Sequence, residues 1–155
     1  MDLKFSHVAI VIADLDKAVS YYQRVLGCKP AKKQTWQRGE FHVEYVVMFK
    51  DAQRFYLVYP HSGNLKALLE AKGSGTIYRF CHTTKDIKAC IEELVAAGVR
   101  PVTESEDPIT EQNLVAPTGV PTIFLPKVFG GLSIEILEEE AMEARVANVR
   151  LTAAE

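Results

Sequence analysis

The sequence predicts an α+β protein built from two tandem copies of one β-α-β-β-β unit. Three observations support this fold class: an internal repeat, Asp and Gly at the ends of each predicted helix, and apolar strands after each helix. Residues 6–30 align with residues 78–101 with a single one-residue gap, so the two segments are the starts of equivalent units.

Each repeat runs from an apolar strand into Asp and then into a segment with helical spacing of apolar residues. Asp14 and Asp86 stand where an N-cap carboxylate can accept backbone N–H bonds. Gly27 and Gly98 stand where a left-handed C-cap is least costly. Any two strand-helix units share hydrophobic spacing, but chance explains the shared order of Asp, Gly and Pro less well.

Turn-rich sequence and apolar strands complete both units. The predicted strands cover residues 40–49 and 54–60 in the first unit and 113–116, 122–125 and 132–137 in the second, with PTG and FGG as turn signals. We predict a single domain over 1–155, with a first module at 1–60, a connector with a short helical piece at 61–75, a second module at 76–137 and a C-terminal helix or tail at 138–155.

Composition excludes several classes of protein. With 155 residues and 48% hydrophobic content, the chain can bury a sizeable core. Its 18 basic and 20 acidic residues are dispersed, so no basic face is available for nucleic acid. The first apolar run, six residues from Val8, is too short for a membrane span and lacks the order of a signal peptide. Three cysteines without a metal-type pair favour a reducing compartment, and we expect a cytoplasmic protein.

The opening FSHVAIVIADLDKAVSYYQRVLG resembles the start of vicinal oxygen chelate proteins, the glyoxalase, bleomycin resistance and dioxygenase superfamily. The resemblance spans most of the chain, and the ending FLPKVFGGLSIEI is similar to the methylmalonyl-CoA epimerase branch. It implies that two modules form a curved mixed sheet, or cup. It also implies a divalent metal held by the first and last strands of each module, and a homodimer.

Carried over by position, the family's four ligand positions fall on His7, Tyr56, Arg79 and Glu135. His7 and Glu135 match the family pattern. Tyr56 stands where the pattern has Glu or Gln, and Arg79 stands where it has His. Strand alternation turns His7, Tyr56 and Arg79 to the face away from the helices, and Glu135 must face opposite to its apolar neighbours.

One imidazole, one phenol, one guanidinium and one carboxylate would then share an interior. Arg79 stays protonated and cannot be a metal ligand. We interpret it as replacing the metal's charge, either by pairing with Glu135 or by binding a carboxylate, enolate or carbonyl oxygen of a small substrate. His7 and Glu135 are the candidate proton-transfer groups, and Tyr56 would donate a hydrogen bond to a developing oxyanion.

Other interpretations stay open. Arg79 and Glu135 could form a structural ion pair, with His7 a satisfied core histidine. A rearranged divalent metal site could instead use His7 and Glu135 together with other histidines as ligands, so the cofactor is a metal or none. His82 faces the wrong way for that site, His61 lies beside the connector, and the facing of His42 is not fixed by the sequence.

Five smaller candidates complete the set. Glu44, in RGEFHVEYVV, is close to the place where epimerases of this type carry a second acid/base carboxylate, while Glu40 fits a solvated strand edge better. Trp36 and Phe129 lie in turn-rich stretches and could form part of a ligand lid. Trp36 is therefore a candidate for binding substrate. Cys81 lies on the same face of its strand as Arg79, and we interpret it as a packing residue.

The first hypothesis for function is a small-molecule isomerase, epimerase or lyase that acts through an enolate-type intermediate and has a degenerate metal site. The second is a non-catalytic protein that binds or sequesters a small molecule in the same cup. The third is a divalent-metal-dependent enzyme with altered ligands. In each case the expected partner is a small molecule, without nucleic acid or membrane.

Overall fold

The computed structural model describes residues 1–116, 118–127 and 133–151. Within them, the elements in chain order are β1 (Lys4–Val11), α1 (Leu15–Leu26), β2 (Lys29–Pro30), β3 (Gln34–Arg38), β4 (Phe41–Lys50), β5 (Gln53–Pro60), α2 (Gly63–Lys72), β6 (Thr76–Thr84), α3 (Ile87–Ala96), β7 (Thr122–Phe124), β8 (Ile134–Glu138) and α4 (Glu139–Arg150). Strands pair both parallel and antiparallel. The predicted α+β class is confirmed.

The chain divides into two compact units. The first unit comprises His7–Tyr78 and Ala147–Glu155, and the second comprises Met1–Ser6 and Arg79–Val146. The first unit thus holds most of the predicted first module and the connector, and the second holds most of the predicted second module. The boundaries fall inside β1 and β6, so each of these strands contributes residues to both units.

In the first unit, β4 pairs with β2, β3 and β5, and β5 pairs in parallel with β1. A two-residue turn joins β4 to β5, and Asp51 in it has a φ of 51°, a left-handed conformation that Asp tolerates better than most residues. One face of these strands packs against α1. Its core includes Ile10, Met48 and Leu57.

The predicted helix signals are present in the structure. The Asp14 side chain accepts a hydrogen bond from the backbone N–H of Lys17 at 3.1 Å, and Asp86 does the same for Ala89 at 3.0 Å. Gly27 ends α1 with a φ of 66°, and its N–H donates to carbonyls of the last turn. The second repeated helix, α3, ends at residue 96, two residues before Gly98.

In the second unit, β8 pairs in parallel with β6 and antiparallel with β7. The register aligns Cys81 of β6 with Glu135 of β8, and Glu135 with Phe124 of β7. Ile123 and Ile136 pack with α3 in a second core cluster. Each unit therefore has a strand face buried against its own helix.

The strand predictions are wrong in two places, and a third predicted segment lies partly outside the described residues. The segment 113–116 forms only an isolated bridge at Val115, because a tight turn returns the chain from Ala116 to Val120. The short strands β2 and β3 lie in a stretch predicted as turn-rich. The predicted FGG turn and the first residue of the strand predicted at 132–137 lie outside the described residues.

The remaining helices fall where the sequence suggested. The connector contains α2, and α4 occupies most of the C-terminal segment, burying Met142, Val146 and Val149. None of the helices in the described part of the chain combines the length and the apolar content of a membrane span.

Candidate functional site

Three rings stand side by side on the strands of the first unit. The His7 imidazole stacks on the Tyr56 ring, with 4.1 Å between centroids and 26° between planes. Tyr45 stacks on the same tyrosine at 6.0 Å and 10°. We call His7, Tyr56 and Tyr45 the aromatic row. His7 is almost fully buried, at 4% exposure.

Strand register explains why these rings share one face. Tyr56 of β5 lies opposite Ala9 of β1 and Val47 of β4, and side chains two residues apart on a strand face the same way. His7 and Tyr45 are each two residues from those partners. The residues next to these three rings along each strand point to the core against α1. The facing predicted for His7 and Tyr56 is therefore the one that the structure has.

Trp36 lies on the same face as the aromatic row. In the β3–β4 pair it stands opposite Val43, which is two residues from Tyr45. Its side chain is partly buried. Its predicted role in binding substrate is therefore compatible with its position. Phe129, the other lid candidate, lies outside the described residues.

Glu44 lies on the opposite face of β4. It adjoins Tyr45 in sequence and stands across from Tyr59, which packs with the core on the α1 side. Its carboxylate lies 2.7 Å from Nε2 of His61, whose ring stacks on His42 at 4.1 Å. A proton-transfer role for Glu44 beside His7 does not fit this placement, because strand alternation points the two side chains to different faces.

In the second unit, the Cys81 thiol donates a hydrogen bond to Oε2 of Glu135 at 3.1 Å. Ile134 and Ile136 pack toward α3, so the carboxylate between them faces the other way, as predicted. Burial raises the pKa of Cys81 well above its ordinary value; the negative charge and hydrogen bond of Glu135 add to this shift, and Arg79 opposes it. Cys81 is thus a neutral donor that holds Glu135.

Arg79 forms an ion pair with Glu104. Its guanidinium carbon lies 5.0 Å from the centroid of the Phe124 ring, in a cation–π arrangement. The Arg79 side chain is 16% exposed, whereas that of Glu104 is 53% exposed. The sequence suggested Glu135 as an ionic partner of Arg79, whereas the ion pair that the structure describes is with Glu104.

Sequence reasoning missed Tyr45 and Glu104. A two-residue turn between β4 and β5 fixes the register that aligns Tyr45 with Val58, but the segment KDAQ is not a strong hairpin signal. Glu104 lies in a loop, and its contact with Arg79 depends on the bridge between Val102 and Phe124. No local pattern in the sequence predicts such a contact.

The described side chains do not fit the divalent metal that the resemblance implies. Of the four mapped positions, Arg79 is a permanent cation that is paired with a carboxylate, and the Tyr56 phenol is a poor ligand near neutral pH. Across the described residues, no group of three or more His, Cys, Asp and Glu is arranged to hold a metal ion. We therefore derive no chemistry through a metal.

The fold and the strand positions of these side chains define an α+β protein of the glyoxalase-like class. The chain belongs to the Glyoxalase/Bleomycin resistance protein/Dioxygenase superfamily, whose family model matches residues 6–116. The sequence-based recognition of this superfamily is confirmed.

The relatives of the chain are enzymes. It is 27% identical over 136 residues to the ethylmalonyl-CoA/methylmalonyl-CoA epimerase of Cereibacter sphaeroides, covering 86% of this chain and 96% of that protein. The methylmalonyl-CoA epimerase structure of Mycobacterium tuberculosis aligns with a TM-score of 0.69 at 23% identity, over 91% of each chain. A variant of the Streptomyces coelicolor enzyme, solved in complex with 2-nitronate-propionyl-CoA, aligns at 0.60 and 18%, over 87% of this chain and 96% of that one.

Proposed function

We propose that the chain is an epimerase that inverts the α-carbon of a small acyl thioester through an enolate-type intermediate, with Arg79 in place of a metal cation. The observation that carries the proposal is the arrangement on β6 and β8. There, a carboxylate held by a thiol shares a strand face with a guanidinium. The relatives named as epimerases favour epimerisation over lysis.

Epimerisation needs a base, a stabilised anion and an acid. The Glu135 carboxylate removes the α-proton, and the electron pair of the C–H bond moves to give an enolate with its charge on the thioester oxygen. The guanidinium of Arg79 stabilises that charge through charge-assisted hydrogen bonds. The proposal assigns the return of a proton to His7, whose imidazolium acts as the general acid. No atom is gained or lost.

Solvent exchange tests this proposal. Racemic methylmalonyl-CoA is incubated with the protein in D₂O, and mass spectrometry measures deuterium at the α-carbon against a sample without protein. We expect one deuterium to be incorporated, at the same rate with and without EDTA. Glu135→Gln lowers the rate by about 100-fold or more, since a positioned base contributes at least that factor.

The matched control is Glu92→Gln, which neutralises an exposed carboxylate on α3 and leaves the rate unchanged. Full exchange by Glu135→Gln would contradict the role of Glu135. Loss of exchange in EDTA would contradict a reaction without metal. Absence of exchange by the wild type with this substrate and with other acyl-CoA thioesters would contradict the epimerase.

A second candidate function is the binding of a planar small molecule without chemistry. The aromatic row favours it, because stacked rings with Trp36 on the same face offer a wall for an apolar ring. Trp36 is the only tryptophan in the chain, so its fluorescence reports on that wall. A candidate aromatic ligand that quenches this emission, while no thioester undergoes deuterium exchange, would favour binding over catalysis.

We also propose that the protein is a cytoplasmic homodimer. The support for the dimer is the resemblance to two-module proteins of the superfamily, and the support for the location is the three cysteines without a metal-type pair. Light scattering after size-exclusion chromatography should give twice the chain mass of 17.3 kDa. A mass of one chain at every concentration tested would contradict the dimer.

A further inference from the structure

We infer that Glu104 is a built-in occupant of an anion site on Arg79, and that this site receives a carboxylate carried by the substrate. The inference deepens the proposed function and, in naming a carboxylate-bearing substrate, rests on it. The anion site itself can be tested without turnover. It lies entirely within the second unit.

The guanidinium of Arg79 is held in a place where it needs an anion. Its side chain is 16% exposed, and the Phe124 ring covers it at 5.0 Å. A cation largely removed from water is costly unless a negative group compensates its charge. In the structure, the carboxylate of Glu104 pairs with its Nη2.

Glu104 can give up this position more readily than the other nearby carboxylate. Its side chain is 53% exposed, so water can solvate the charge once the contact is broken. Glu104 belongs to a turn in which the backbone N–H of Glu106 donates a hydrogen bond to the carbonyl of Thr103 at 2.9 Å. Glu135, in contrast, accepts a hydrogen bond from the buried thiol of Cys81.

The chemical class of the ligand follows from the group it replaces. A carboxylate has the same charge, planarity and pair of oxygens as the end of Glu104. The planar donor fork of arginine matches that geometry. A substrate with a free carboxylate therefore competes directly with Glu104. In the proposed reaction, two of the five guanidinium N–H donors hold that carboxylate, and the others stabilise the thioester oxygen.

Binding of malonate tests the inference. Sodium malonate is titrated into the full-length protein by calorimetry at low and constant ionic strength, because salt screens exposed charges. We expect Glu104→Gln to bind malonate about fivefold more tightly than the wild type, since a partly exposed ion pair no longer competes. Arg79→Gln abolishes the binding in both the wild-type and Glu104→Gln backgrounds.

Glu106→Gln is the matched control, because it removes an exposed charge from the same turn while Arg79 keeps its partner. Its affinity for malonate should equal that of the wild type. If Arg79→Gln fails to fold, Arg79→Lys replaces it, and a point charge without the fork should bind malonate more weakly. A phosphate titration should show a smaller gain from Glu104→Gln than malonate does.

Two outcomes overturn the inference: no tighter binding by Glu104→Gln, or an equal gain when Arg79 is absent. Deuterium exchange reports separately on the proposed function. A gain in malonate affinity without exchange would support the anion site and contradict the epimerase. Deuterium exchange without a gain in malonate affinity would support the epimerase and contradict the anion site.

Discussion

Cys81 shows how one buried side chain prepares its neighbour for chemistry. The thiol is fully buried, and its raised pKa keeps it protonated at neutral pH. A protonated thiol donates to Glu135, whereas a thiolate would repel it. The sequence suggests packing alone for this residue. Its hydrogen bond makes it a positioning residue for the carboxylate.

The raised pKa of Cys81 predicts a loss of stability at alkaline pH. The unfolded thiol ionises near its ordinary value of 9.0, whereas the folded one resists ionisation. Its contribution is therefore complete below pH 9 and is lost as the pH rises toward the folded pKa. Urea unfolding at pH 7, 9 and 10 should show a declining free energy of unfolding, and Cys81→Ala should decline less steeply.

Cys90→Ala provides the comparison, because burial also raises the pKa of that thiol but by less. Its pH dependence should stay closer to that of the wild type. Equal slopes for the wild type and Cys81→Ala would show that Cys81 does not carry the effect.

At the level of single residues, the sequence predicted part of the site. Strand alternation and the repeat were enough to give the facing of His7, Tyr56 and Glu135, because burial forces a period of two. The contacts of Arg79 with Glu104 and Phe124 depend on the path of a loop and on pairing between distant segments. No local pattern encodes that path.

Among the elements, the two repeated helices show how much local chemistry can specify. In each, the short side chain of an Asp accepts a hydrogen bond from a backbone N–H that the helix itself leaves without an acceptor. The same device appears at Asp14 and Asp86, so both helices begin where the sequence predicted. Their ends differ, because Gly27 is the C-cap of α1 and Ala97 is that of α3.

Removal of either cap should destabilise the protein by about 1 kcal/mol. Asp14→Ala and Asp86→Ala each leave one backbone N–H of the first turn without its side-chain acceptor. Chemical denaturation measures the loss. Asp14→Asn is the control, because Asn caps helices about as well as Asp. An Asn variant as unstable as the Ala variant would mean that charge, not capping, is responsible.

Elements that depend on a partner strand were harder to predict. The strand β3, Gln34–Arg38, is mostly polar and lacks a regular alternation of apolar residues, yet it pairs with β4 along its length. Pairing with an established strand overrides weak intrinsic propensity. Conversely, the apolar segment 113–116 finds only one bridge, because the chain turns back immediately after it.

Across the whole molecule, duplication is visible as two separate hydrophobic clusters. One packs α1 against the strands of the first unit, and the other packs α3 against those of the second. The sequence predicted this arrangement because each repeat carries its own apolar helix face. It did not predict that Met1–Ser6 would belong to the second unit.

Each cluster should therefore respond strongly to loss of a central side chain. Leu57→Ala in the first and Ile123→Ala in the second remove fully buried groups and should each cost about 2–5 kcal/mol in free energy of unfolding. Val25→Ala, at a half-exposed position on α1, should change stability by less than about 0.5 kcal/mol. Urea unfolding measures all three. A loss confined to one of the two core variants would contradict two equivalent clusters.

The stacking of His7 on Tyr56 supplies a spectroscopic probe that requires no label. At 4.1 Å between centroids, each ring lies within the magnetic field induced by circulating electrons of the other. The imidazole protons should therefore resonate upfield of those in free histidine. A molecule that inserts beside these rings would move the same signals, so a proton spectrum can report its arrival directly.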